Sequence, residues 1–324
     1  MGNLLITARC NRQCTFCFAK LRIAEMIQEK EKGLNMSRED IRAAMDFMER
    51  TEEKSLRLLG GEPTLHPEFI DIVNEGLQRK FHVHLFTNAI MTKEVADFLA
   101  GIPPERLSIL CNISPQASDT DRQKGMRQYA LERLGSRVSL GITITEPQFE
   151  YQYLIDHIKK FKLRPKLRVG IAQPIVGKEN VFLKPSEYAA AGHAIAQMAR
   201  ACVKEDILIG FDCGMTLCMF SEEDLGTLAT CSDGYTSVCD PIIDIGPNLD
   251  IWHCFPLSEV LNSNLKKFKT RREAARYYQA VVGAYRNLGC RPECMRCDFK
   301  RRGQCFGGCL AHAMNSLNKL PPRL

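Results

Sequence analysis

The sequence predicts an α/β protein: an open, partial (β/α)6 barrel over residues 1–204, followed by a small cysteine-rich module over residues 205–324. Three observations carry this. Six short apolar runs are each followed by a helical pattern, the alternation stops before an eighth unit, and the composition changes after about Lys204. Strands that alternate with helices build a parallel sheet with right-handed crossovers. Six such units fall short of the eight that close a barrel.

The strand candidates are 3–7, 55–59, 82–86, 107–113, 137–144 and 166–172, all rich in β-branched or aliphatic residues. Helical patterns fill the gaps between them. The first covers 37–49, where Ser37 ahead of Glu39 and Asp40 resembles a capping box. The others are 67–79, 93–99, 120–134, 150–161 and 185–204. Beyond 204, strand-like 207–211 leads into Gly-, Asp- and Cys-rich sequence up to Pro256, within which 244–257 reads as a β-hairpin. One helical stretch, 266–288, then precedes a cysteine-dense tail. So loop-rich a segment has few apolar residues for a core of its own, and metal coordination would supply the missing stability.

Composition excludes several functions. The net charge of +6 is spread thinly over 324 residues, whereas a nucleic-acid binder gathers its charge into a stripe. The densest basic run, 266–272, reads as the solvated start of a helix or as a patch for an acidic substrate. No run of about eighteen apolar residues exists, so no membrane span is expected. The stretch before Cys10 is too short for a secretory signal, which points to the cytoplasm. There, fifteen cysteines need a reason other than disulfides. Three fall at Cys10, Cys14 and Cys17, and ten between Cys213 and Cys309. Cysteines used as small hydrophobes would scatter through the core. These gather at the two ends, as metal or cluster ligands do.

Cys10, Cys14 and Cys17 form a C-x3-C-x2-C motif just after the first strand. Three close thiolates hold three irons of a [4Fe–4S] cluster and leave one iron open. A closed zinc site asks for a fourth nearby ligand, and none follows. The second strand ends in Gly60-Gly61-Glu62-Pro63. Two glycines permit close approach to the backbone, and Glu62 offers an acceptor for an ammonium group; taken alone, the segment is also an ordinary turn. Thr87-Asn88 ends the third strand and Asn112-Ile113-Ser114 the fourth, while Thr143 and Arg168 are candidates late in the fifth and sixth. All these candidates lie toward the C-terminal ends of parallel strands, the face where (β/α) barrels keep their chemistry.

The cysteine spacing, with aromatic Phe16 before the third cysteine, resembles the signature of the radical S-adenosylmethionine superfamily. The resemblance implies that the open iron binds the amino and carboxylate groups of S-adenosylmethionine. Reduction would then release a 5′-deoxyadenosyl radical that abstracts hydrogen from a substrate. It implies that Gly60, Gly61, Glu62 and Pro63 hold the methionine amino group. Thr87-Asn88 resembles the family's Thr-Asn-Gly corner, with Ala89 in the glycine's place. Asn112 and Ser114 would reach the ribose, Thr143 and Arg168 the carboxylate and ribose, and Phe16 either packs near the adenine or is a core residue. A flavodoxin- or ferredoxin-type electron donor is the implied partner.

Cys294-x2-Cys297-x7-Cys305-x3-Cys309 follows Cys239-x14-Cys254. Alone, such pairs are a zinc-ribbon pattern. Beside the first motif they resemble the SPASM extension, which holds auxiliary [4Fe–4S] clusters. By that resemblance Cys231, Cys239, Cys254 and Cys309 hold the first, and Cys294, Cys297 and Cys305 the second; the family's usual final cysteine has no counterpart here, so either Cys290 replaces it or the second cluster has an open iron. Cys213 and Cys218 are left as alternatives to Cys231, as residues beside the substrate, or as inert. The resemblance favours a peptide or protein substrate over a tetrapyrrole, nucleoside or sugar, although only nine residues precede Cys10 and no leader-binding domain is expected there. An electron-transfer protein or a zinc-stapled binding module would explain the cysteines but not the Gly-Gly-Glu segment or the barrel.

Overall fold

The structure, a computed structural model, describes residues 2–19, 34–114, 119–235 and 237–317. Its frame is one parallel sheet wound in chain order. The strands are β1 (Leu4–Leu5), β2 (Ser55–Leu59), β3 (His82–Thr87), β4 (Leu107–Asn112), β5 (Val138–Ile144), β6 (Lys166–Ile171) and β7 (Leu208–Phe211). Each pairs in parallel with the next. The fold is therefore mixed α/β with a partial-barrel sheet followed by a Cys-rich region. The parallel run has seven strands among the described residues, one more than the sequence pattern gave. The seventh is the 207–211 segment assigned to the second module. The helix that follows it, Glu222–Cys231, lies in sequence read as irregular, so the repeat that marked the others went unseen.

The helices α1 (Arg38–Arg50), α2 (Phe69–Gln78), α3 (Lys93–Gly101), α4 (Asp121–Leu134), α5 (Gln152–Lys160) and α6 (Tyr188–Val203) fill the crossovers. Ser37 caps α1 by accepting from the Asp40 N–H at 3.1 Å. Ile41, Ala44, Met45 and Met48 then form its buried stripe; each larger side chain contributes about 1.5–3 kcal/mol when fully buried. Thr120 and Gln123 form a complete capping box on α4. On β3, Val83 and Leu85 are buried while His82, His84 and Phe86 alternate with them and are only partly covered. That alternation suits strands whose inner face lines a lumen rather than a second helix layer.

The C-terminal region adds α7 (Glu222–Cys231), strands β8 (Asp244–Ile245), β9 (Asp250–Trp252) and β10 (Asn262–Asn264), then α8 (Arg271–Val282), α9 (Asp298–Arg301) and α10 (Leu310–Ser316). β8 and β9 make the expected hairpin, which turns through left-handed Asn248 and Leu249. β8 also pairs in parallel with β1, so the sheet runs β10-β9-β8-β1 and on to β7. A small separate core of Leu5, Ala8, Ala19, Trp252 and Phe255 seals this junction against Cys17. The helix expected from 266 starts later than the basic run: Lys266 and Lys267 lie in a 3-10 turn, and Thr270 caps α8. No helix among the described residues is long and apolar enough to cross a membrane.

Candidate functional site

At the C-terminal ends of the strands lies a cavity of about 670 Å³, within the roughly 300–1,000 Å³ of small-ligand sites. The cysteine loop forms one wall with Cys10, Cys14, Phe16 and Cys17; Gly60, Gly61, Thr87, Asn88, Asn112, Ser114 and Thr143 form the rest. Candidates from five segments of the chain thus converge on one space. Burial pushes the Cys10 and Cys14 thiols up, and the nearby Arg12 cation opposes this at both.

The two glycines have a specific steric reason. A Cβ on Gly60 would stand 2.8 Å from the Thr7 carbonyl oxygen, and one on Gly61 only 2.4 Å from that of Arg9. The Gly61 and Glu62 N–H groups donate to those same carbonyls at 2.8 and 2.7 Å. The close approach that glycine permits here is that of the cysteine loop itself.

Glu62 is fully buried and lies beneath the cavity rather than on its wall. Its Oε1 accepts from Thr87 Oγ1 at 2.7 Å, Thr64 Oγ1 at 2.8 Å and the Thr64 N–H at 3.3 Å. Oε2 accepts from the Asn88 N–H at 2.8 Å. Burial pushes its carboxyl up while these bonds hold it down. The expected ammonium acceptor is, in this geometry, a post tying β2 to β3. Pro63, also buried, opens the 3-10 turn that follows.

Arg168 does not reach this cavity. It lines a second one, about 360 Å³, toward the strands' N-terminal ends with His84, Ser108 and Ser139, and it pairs with Asp212. It is the third residue of β6, too low in the lumen for the upper face. Phe86 borders both cavities.

Several residues escaped the sequence reading. Arg12, its side chain 4% exposed, makes a two-pronged pair with Asp119 at 3.1 Å and donates to the Ser114 carbonyl at 3.0 Å. Arg127 joins Asp119 at 2.8 Å. Burial pushes the Asp119 carboxyl up, but the bonds from Arg127 and Arg12 bring it below its ordinary range. Asn11 accepts from Asn88 Nδ2, and its backbone carbonyl from Gln123 Nε2, both at 2.8 Å. Asn88 therefore holds the cysteine loop as well as lining the cavity. Ala89 has φ +59°, the left-handed conformation that suits the glycine of the family's corner. Ser114 Oγ accepts from the Thr143 N–H at 3.2 Å. No local pattern signals partners a hundred residues apart.

Among the C-terminal cysteines, the thiols of Cys213, Cys239, Cys254 and Cys309 lie within one another's electrostatic reach. Cys290 contacts Cys294 through a thiol hydrogen bond and has Cys218 nearby. Cys305 and Cys218 both neighbour Tyr235. Cys231 instead ends α7 in the hydrophobic core, 3% exposed and beside Cys202. Its helix turns it inward, so the upstream thiol that meets Cys239 is Cys213. Among the described residues no three Cys, His, Asp or Glu side chains converge closely enough to hold a single metal ion.

Residues 4–135 match the family model described as the Radical SAM superfamily. Over 166 residues, 47% of the chain, the sequence is 26% identical to the tungsten-containing aldehyde ferredoxin oxidoreductase cofactor-modifying protein of Pyrococcus furiosus, covering 45% of that protein. It is 30% identical over 154 residues to a probable GTP 3′,8-cyclase of Saccharolobus solfataricus, covering 45% of this chain and 46% of that one. The matches thus span under half the length of these curated relatives. Among solved structures, Streptococcus suis SuiB bound to precursor peptide SuiA is similar with a TM-score of 0.66 at 17% identity, over 99% of this chain and 73% of that one. Native anSMEcpe with bound AdoMet gives 0.67 at 17% identity, over 99% and 92%. At such identity the likeness is one of fold, and it runs through the cysteine-rich region as well as the barrel.

Proposed function

Since the chain belongs to the radical SAM superfamily, we propose that Cys10, Cys14 and Cys17 hold a [4Fe–4S] cluster that, with S-adenosylmethionine bound, supplies a 5′-deoxyadenosyl radical for hydrogen abstraction from a peptide or protein. The observation that carries the first half is that three thiols, and among the described residues no fourth cysteine, line a cavity whose other walls are strand ends. Three cysteines leave one iron of such a cluster open to a ligand. The chain's own residues shape that ligand's seat. Asn112, Ser114 and Thr143 line it with polar groups, and Phe16 adds a ring. The buried Arg12–Asp119–Arg127 triad and Asn88 fix the cysteine loop, so the thiols keep their spacing as the cavity fills.

The peptide reading is supported by the full-length fold likeness to SuiB, whose structure holds a precursor peptide, and to anSMEcpe, also seen with a peptide. A small-molecule reading is favoured instead by the relatives described as GTP 3′,8-cyclases. A flavodoxin- or ferredoxin-type protein is the proposed electron donor, and the cysteine-rich region is proposed to hold auxiliary [4Fe–4S] clusters in the SPASM manner.

The test has two stages. Anaerobically reconstituted protein with dithionite should form 5′-deoxyadenosine, and the triple Cys10→Ala, Cys14→Ala, Cys17→Ala variant should form none while keeping its other iron; continued cleavage would sink the assignment. Deuterated peptides and deuterated small-molecule pools are then offered separately. Deuterium in 5′-deoxyadenosine from a metabolite pool alone would overturn the peptide reading and leave the radical chemistry standing.

A further inference from the structure

Cys213 and Cys218 bracket a tight hairpin, Cys213-Gly-Met-Thr-Leu-Cys218, directly after β7. Two glycines let it thread between the C-terminal cysteines. Gly214 takes φ +94°, a conformation that L side chains rarely adopt, and a Cβ there would come 2.3 Å from Gln173 Nε2 and 3.6 Å from Cys309 Cβ. At the other end, a Cβ on Gly308 would lie 3.1 Å from both Cys290 Sγ and Thr216 Cγ2. Thr216 Oγ1 is 3.2 Å from Cys218 Sγ. One end of the hairpin therefore abuts the Cys239, Cys254 and Cys309 group, and the other the Cys290 group. Cys305 joins the second group through Gly307, whose N–H donates to Cys305 Sγ at 3.4 Å and whose carbonyl accepts from the Cys290 N–H at 2.7 Å.

The surroundings carry donors without acceptors. The Gln173 amide, beside Gly214, is buried with neither its nitrogen nor its oxygen bonded. The Tyr235 hydroxyl, near Cys305 and Cys218, is buried and unbonded, as is one guanidinium nitrogen of Arg286, whose charge reaches Cys239. A buried donor without a partner costs about 1–3 kcal/mol, and a concentration of them marks a place where an acceptor belongs. Thiolates and the sulfides of an iron–sulfur cluster are such acceptors, and hydrogen bonds to cluster sulfur are a recognised feature of these sites. The donor set fits.

We propose that the 213–218 hairpin gives one thiolate to each of two auxiliary [4Fe–4S] clusters: Cys213 with Cys239, Cys254 and Cys309, and Cys218 with Cys290, Cys294 and Cys305. The inference rests on the proposal that this region holds auxiliary clusters. It replaces Cys231, committed to the core, and assigns Cys297 to neither cluster. Both clusters then have four cysteine ligands. Neither keeps an iron open to substrate, so their part is to carry charge or to brace the fold.

The experiment reads iron and spectra rather than turnover. Full-length wild type, Cys213→Ser, Cys218→Ser, Cys231→Ser and Cys297→Ser are reconstituted anaerobically and assayed for iron, Mössbauer parameters and low-temperature EPR after dithionite. Wild type should hold about twelve irons, four per cluster. The Cys213 and Cys218 variants should each lose about four or show one altered cluster signal, and should do so on different signals. The Cys231 and Cys297 variants should match wild type. Perturbation of the N-terminal cluster's EPR signal by S-adenosylmethionine reports that each variant is folded. Unchanged iron and spectra in both hairpin variants would overturn the proposal, as would loss of a cluster from Cys231→Ser or Cys297→Ser. Wild type with about four irons that still forms 5′-deoxyadenosine would defeat this inference alone. Hairpin-dependent clusters without that product would defeat only the proposed activity.

Discussion

Replacing Glu62 separates two roles for the Gly-Gly-Glu segment. As a direct ligand contact, its loss would weaken S-adenosylmethionine binding and leave the fold untouched. The structure predicts otherwise. Glu62→Ala strands four buried donors: two threonine hydroxyls and the N–H groups of Thr64 and Asn88. The hydroxyls can turn to other partners, but the two amides cannot. At about 1–3 kcal/mol for each orphaned group, the cost is about 2–6 kcal/mol before any cavity forms. Glu62→Gln keeps the shape and an acceptor for the three donors at Oε1, but turns an NH2 toward the Asn88 N–H. One donor is lost, at about 1–3 kcal/mol. Urea unfolding of the reconstituted proteins, followed by far-UV circular dichroism, should therefore rank wild type above Gln above Ala. The Ala variant should also lose iron, because Asn88 and the Glu62 N–H both brace the cysteine loop. An Ala variant with a wild-type midpoint and full iron, but weaker S-adenosylmethionine binding, would refute this reasoning and restore the ligand-contact role.

Two further outcomes follow from steric and proton-linkage arguments. Gly61→Ala puts a methyl 2.4 Å from the Arg9 carbonyl oxygen and 2.8 Å from Cys10 Cβ, so the cysteine loop must move. Overpacking of this sort costs roughly 1–3 kcal/mol, and reconstitution should lose the N-terminal cluster's EPR signal while the auxiliary iron stays; an intact signal would count against the packing account. Asp244 supplies the pH dependence: burial lifts its carboxyl from an ordinary 3.8 to about 7, and it accepts from the N–H and side chain of Asn3. Between those values the folded chain keeps a proton that the unfolded chain has released, so this group's contribution to stability falls as pH rises through the window and is lowest above about 7. His84, His253 and His312, lowered by burial to about 4, 3 and 4, act in the opposite sense below 6.5. The readout is therefore the difference between Asp244→Asn and wild type, which should shift in favour of the variant from pH 5 to pH 8; a constant offset would remove Asp244 as the source.

The strand periods were legible because the lumen forces alternation on them. The 55–59 segment, with its outward Leu56 and Leu58, forms β2 over those same residues. The convergence of cysteines, glycines and polar strand ends was legible because parallel strands share a C-terminal face. What the sequence could not convey was how acceptors are used up. Glu62 reads as a free carboxylate until the register of β2 and β3 brings Thr87 and Asn88 onto it. Arg168 reads as late in its strand, yet its height in the lumen depends on where β6 begins. Cys213 and Cys231 are indistinguishable by spacing. One follows a strand edge into the cysteine cluster, and the other ends a helix whose inner face is core.

The junction between barrel and extension explains why β1 can be only two residues long. A short strand at the edge of a sheet is weakly held, yet this one precedes the loop on which the proposed chemistry depends. β8 removes the edge by pairing with it, and buried Asp244 fixes Asn3 from both its N–H and its side chain. The same hairpin puts Trp252 and Phe255 beneath the loop, with Phe255 5.2 Å from Phe18, ring to ring. Cys254 lies between those two aromatics in sequence, as Cys17 lies next to Phe18. The Cys254 segment and the N-terminal cysteine loop are thus joined by one aromatic contact and one strand pair. The extension is in this sense part of the barrel's wall, since its hairpin pairs with β1 and its aromatics pack beside Cys17.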